Sequence, residues 1–184
     1  GRLVAELKRI GVPTVGRGGG SLRDTEANLA LLQTLHLAAF PDDRAAAHDL
    51  ATSPLRRLVG LPQEPGKAAR RQASARLREA FAARGAAAVF DEWRRALDAD
   101  LGPREAARMR QLVEAAERLE RGADRTPHEL LGLLSAAKVD DPGHGAVAVL
   151  NIHQSKGLEY DVVIVTDLGG SIVPDAARQK LVAR

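Results

Sequence analysis

Ala146-Val147-Ala148-Val149-Leu150-Asn151-Ile152-His153-Gln154-Ser155-Lys156-Gly157-Leu158-Glu159-Tyr160-Asp161-Val162-Val163-Ile164-Val165 sets two short apolar runs on either side of a polar centre. Ala146–Leu150 and Val162–Val165 are bounded by polar or turn residues, which predicts buried parallel strands. Asp140-Asp141-Pro142-Gly143-His144-Gly145 ahead of them predicts a turn. Strand, polar crossover and strand make half of an α/β sheet. The crossover, Asn151 to Glu159, carries an amide, an imidazole, a hydroxyl, an ammonium, a glycine and a carboxylate. Loops at the carboxyl ends of parallel strands are where α/β proteins hold ligand groups. Gly157 lets backbone approach an anion closely. Lys156 and His153 can touch phosphate, and Glu159 can accept from a sugar hydroxyl. A polar turn with Lys156 in water is the plain alternative.

Upstream the pattern is helical. Leu3, Val4, Leu7 and Ile10 recur at helical spacing and Gly11 stops them. No cap precedes Leu3, so the pattern looks like a helix cut near its beginning and the chain like a piece of something longer. Val12–Val15 predicts a short strand and Gly16–Gly20 a loop or tight turn. Asp24 or Thr25 can cap a helix through Leu29, Leu32, Leu35 and Leu37, and an Asp of Pro41-Asp42-Asp43 caps the next. Pro62–Gly66 reads as a loop between lobes. Helices are predicted over Lys67–Arg84, Ala86–Ala99 and Glu105–Arg121. Thr126-Pro127-His128-Glu129 has the spacing of a capping box.

Composition narrows the chemistry. The chain has 184 residues, 45% of them apolar and only 3% aromatic, so its core is built from Ala, Leu and Val. That suits close-packed helices better than a β-sandwich. Zero Cys excludes a disulfide framework, a zinc-thiolate site and a Cys nucleophile. The five His are scattered, and no metal site is expected. No apolar run is long enough to span a bilayer, which points to a soluble cytoplasmic protein without a membrane partner. Formal net charge is +3. The basic excess lies in the middle: Lys67, Arg70, Arg71, Arg76, Arg78 and Arg84 stand against Glu79 alone. Such a patch marks nucleic acid only when it lies on one face; a solvated helix face is the other reading. There is no G-x-x-x-x-G-K-[ST], so this chain has no Walker A loop for a triphosphate.

Asn151-Ile152-His153-Gln154-Ser155-Lys156-Gly157-Leu158-Glu159-Tyr160 resembles motif V, T-x-H-x-[AS]-K-G-L-E-[FWY], of the UvrD/RecB-type superfamily 1 DNA helicases. Asn151 departs from the family's Thr. Leu3–Val15 followed by Gly18-Gly19-Gly20-Ser21-Leu22 is similar to the family's helix, strand and glycine turn, with Leu22-Arg23 in place of an aromatic pair. Ala51-Thr52-Ser53-Pro54-Leu55 resembles the RecB and AddA branch. The resemblance covers about residues 3–60 and 140–175; residues 61–139 match only in being helical and in the right place.

The resemblance implies a helix-rich α/β fold: part of a RecA-like parallel sheet of the P-loop NTPase type, domain 2A, with a large all-helical 2B insertion. Residues 1–60 would be 2A passing into helices, 61–139 the 2B-like insertion, and 140–184 the 2A segment with motif V. By the same resemblance the intact parent is an ATP-dependent 3′-to-5′ DNA helicase or helicase–nuclease of repair and recombination, using ATP and Mg2+. Gly157, Glu159 and Lys156 would bind nucleotide, and His153 and Asn151 would contact DNA. No catalytic residue is assigned to this piece, nor a bound cofactor; alone it is expected to be inactive. Its partners would be single-stranded DNA, a duplex junction and a second nuclease or helicase subunit. The alternative is a non-enzymatic helical module that binds nucleic acid or a partner and keeps a relic motif V.

Overall fold

The computed structural model describes residues 2–17, 20–122, 124–140 and 147–166. Helix α1 (Arg2–Arg9) leads into β1 (Thr14–Gly16) and β2 (Gly20–Ser21). Then come α2 (Glu26–Ala39), α3 (Arg44–Thr52), α4 (Arg56–Val59), α5 (Lys67–Arg84), α6 (Ala86–Leu97), α7 (Pro103–Glu120) and α8 (Pro127–Ala136). Strands β3 (Lys138–Val139) and β4 (Val147–Val149) and the one-turn helix α9 (Ile152–Ser155) follow. The protein is a helix-rich α/β chain with a small parallel sheet. It divides into two units, with the boundary between Gln154 and Ser155.

Helix α2 is apolar on most of its circumference, and such a helix must be surrounded. It packs against α3, α5, α7 and α8, and Leu31, Leu35 and Leu37 are fully buried. Residues before and after Pro62–Gly66 share the one core, from Leu22 to Leu134. Phe81, Phe90 and Trp93 supply its aromatic part, with Phe81 edge-on to Phe90 at 5.9 Å between ring centres.

Local signals place the helix starts. Thr25 accepts the Asn28 N–H, and Asp43 accepts the Ala46 N–H at 3.0 Å. The capping box forms: Thr126 accepts from the Glu129 N–H at 3.3 Å and Glu129 from the Thr126 N–H at 2.9 Å. Helix α6 is capped from a distance. Glu120, at the end of α7, accepts the N–H groups of Ala86 at 2.6 Å and Ala87 at 3.1 Å. A carboxylate there satisfies free donors and meets the positive end of the helix dipole.

Strands β1 and β4 pair in parallel, with Thr14 opposite Val147 and Gly16 opposite Val149. The ladder continues through Val147 N–H to the Pro13 carbonyl and Arg17 N–H to the Val149 carbonyl. Strands β2 and β3 pair antiparallel, a hairpin-like contact between distant residues that local pattern does not announce. Beside it lies Arg108 of α7, only 1% exposed. A Cβ on Gly20 would fall 2.6 Å from an Arg108 guanidinium nitrogen and 2.8 Å from the Val139 carbonyl oxygen, so β2 requires glycine.

Three expectations change. Strand β4 is parallel, as expected, but not buried: Val147 is 39% exposed. Val162–Val165 forms no strand; its side chains are 77, 69, 83 and 54% exposed. An apolar run is held extended and buried by hydrogen-bonded neighbours, and composition shows the run but not its neighbours. The turn expected over residues 140–145 and the glycines at 18 and 19 lie outside the described residues, Asp140 excepted.

Candidate functional site

Strand β4 carries the chain to Leu150 and Asn151, where α9 begins. Asn151 and His153 are exposed at the carboxyl end of this parallel strand. That is the position from which α/β sheets present ligand groups. The parallel pairing with β1 therefore gives the loop the setting its composition suggests.

From Ser155 the chain belongs to the second unit. The Leu158 N–H donates to the Ser155 carbonyl at 3.0 Å, closing a tight turn over Lys156 and Gly157. Gly157 takes φ +81°, a left-handed conformation, and a Cβ there would meet nothing within 4 Å. Glycine is needed for the turn itself, not for space. Lys156, Leu158, Glu159 and Tyr160 are exposed. All five candidate residues, Asn151, His153, Lys156, Gly157 and Glu159, thus face solvent.

The chemistry of these groups is that of contact rather than bond making. An exposed ammonium and imidazole donate to phosphate oxygens, and an exposed carboxylate accepts from sugar hydroxyls. A cation, an acceptor and a left-handed glycine fit one wall of a nucleotide site. The donor set does not fit Mg2+: among the described residues no group of three or more His, Cys, Asp or Glu side chains is placed to hold a metal ion. No step is therefore derived through it.

The basic helix α5 has a different use. Arg70 donates to the Pro65 carbonyl at 2.9 Å, and Arg76 to the Gly60 carbonyl at 3.0 Å. Arg78 donates to Ser74 Oγ at 2.8 Å and to the Ala38 carbonyl at 3.2 Å. Arg71 holds Asp42 with two bonds, and Arg84 holds Glu92. These guanidinium groups tie helix ends and loops together, a role the sequence reading did not assign them. Among the described residues no helix is long and apolar enough to cross a membrane.

Residues 68–183, more than half of the chain, match the sequence model of the UvrD-like helicase C-terminal domain. No curated protein and no solved structure matches the chain. The match takes in α5 to α8, where the sequence offers helical patterning and no motif, as well as β4 and the loop after it. On that match the chain belongs to the UvrD-like helicase C-terminal domain family.

Proposed function

We propose that this chain supplies single-stranded-DNA and nucleotide contacts to an ATP-dependent 3′-to-5′ DNA helicase or helicase–nuclease subunit of the RecB/AddA type, in repair and recombination. The observation that carries the reading is the exposed Asn151–His153 segment at the carboxyl end of a parallel strand, inside the family match. His153 and Asn151 donate to the DNA backbone. Lys156 and the Gly157 turn face nucleotide phosphate, and Glu159 accepts from the ribose. Phosphoryl transfer depends on preorganised contacts to the β- and γ-phosphates. This chain has no Walker A loop, so the motor needs a second wall, and the chain alone does not turn over ATP. A second nuclease or helicase subunit and a duplex junction complete the assembly, with ATP and Mg2+ bound in the whole motor.

Two titrations test this. Anisotropy of a labelled oligo-dT reports binding, expected to weaken with salt as backbone contacts do and to fall several-fold in His153→Ala. Equal affinity for wild type and His153→Ala removes the loop from the DNA interface. Phosphate release with and without oligo-dT is expected to equal that of Glu159→Gln; turnover above that variant overturns the claim that the chain is inactive alone.

A further inference from the structure

Arg108 is a charged side chain shut away from water, and its bonds reach three separate pieces of chain. Nε and one terminal nitrogen donate to Asp24 Oδ2 at 3.2 and 2.8 Å, beside the N-cap of α2. The other terminal nitrogen donates to Gln111 Oε1 and to the Asp140 carbonyl, both at 2.7 Å. Gln111 Nε2 donates to that same carbonyl at 3.1 Å. Asp140 Oδ2 in turn takes the Arg17 guanidinium at 3.2 Å, and the Arg17 backbone N–H closes the β1–β4 ladder on Val149. A carbonyl just past a strand end is ordinarily satisfied by water; this one receives two side-chain donors from α7. A guanidinium holds its donors in a rigid planar fork, so it fixes the direction of every partner at once.

We propose that Arg108 is a positioning residue that locks the chain at Asp140, together with β2 and β3, to the helical body, and thereby sets how β4 presents Asn151 and His153. The proposal rests on the DNA-contact reading of that loop. A shift of α7 is transmitted to the ladder through the Asp140 carbonyl and Arg17, so the helices and the loop do not move independently.

Hydrogen exchange on the whole 184-residue chain tests it, with wild type beside Arg108→Lys. Lysine keeps a positive charge toward Asp24 and gives up the fork. The amides of Val147 and Arg17 are expected to exchange about tenfold faster while those of α5 and α6 keep their rates, a local opening rather than a global one. Oligo-dT affinity falls in step. Gln111→Leu leaves the Arg108–Asp24 pair in place and gives the same local pattern more weakly; it decides the matter if Arg108→Lys does not fold. Acceleration spread evenly over the helices marks Arg108 as an ordinary core stabiliser and overturns the proposal, as does unchanged exchange at Val147 and Arg17. If exchange shifts locally but wild type binds no oligo-dT, the positioning role stands and the DNA reading fails.

Discussion

Gly20 and Gly157 are glycines for opposite reasons. At Gly20 the backbone is ordinary and the space is taken by a guanidinium that cannot withdraw, because its other bonds hold it. Gly20→Ala is expected to lower stability by about 1–3 kcal/mol, the usual range for overpacking, measured by urea unfolding with Trp93 fluorescence. At Gly157 the space is open and the backbone is left-handed. Gly157→Ala should leave the Trp93 transition in place, since the turn contributes nothing to the core cluster, and raise exchange at Leu158. A third residue, Asp43, answers to pH. The Ala46 N–H, and after it the His36 ring at 2.8 Å, hold its carboxyl below the usual carboxylate range. A value lowered by folding contributes stability above the unfolded pKa, about 3.9, and loses it as pH falls through the folded value. Asp43→Ala is expected to cost about 1 kcal/mol near neutrality. The gap between variant and wild type should close below about pH 4, which paired urea titrations at pH 7 and pH 3 would show.

At the scale of elements, α5 decides between two readings of a basic helix. Its arginines end on carbonyls of Ala38, Gly60 and Pro65. Arg78→Met, which removes two bonds from a partly buried site, is expected to lower stability by about 1–3 kcal/mol. Arg71→Gln breaks an exposed pair with Asp42 and should barely move it. Neither should change the salt dependence of oligo-dT binding; a flattened salt response in either variant would return α5 to the nucleic-acid interface. Helices with caps next door in sequence were legible from residues alone: Thr25, Asp43 and the Thr126–Glu129 box all act as their spacing predicts. The cap on α6 was not, because Glu120 comes from the far end of another helix. Arg108 left a fainter trace. It stands four residues before Leu112, on the apolar stripe of α7, where a solvated arginine has no place. The loop from Asn151 to Glu159 was legible as chemistry, from residue types, and its place after a parallel strand was legible too. Its exposure was not, since an apolar flank such as Val162–Val165 does not reveal what it pairs with.

For the whole molecule, the uncovered run Val162–Val165 sets its behaviour in solution. Consecutive β-branched residues with no charge among them are a template for pairing with other chains. Val163→Lys is expected to reduce concentration-dependent light scattering without altering the Trp93 unfolding curve; equal scattering would place the association elsewhere. The folded body draws its stability from the helices and little from its strands, which are two or three residues long among the described residues. Thr14 and Val147 come from opposite ends of that body, with mostly helix between them. Helical contacts are near in sequence and close fast, whereas a pair of distant strands waits until the chain between them has shortened. The β1–β4 ladder is therefore the final step in assembling the first unit. The order of events in folding makes the loop after β4 a late product, present only in molecules whose helices have already come together.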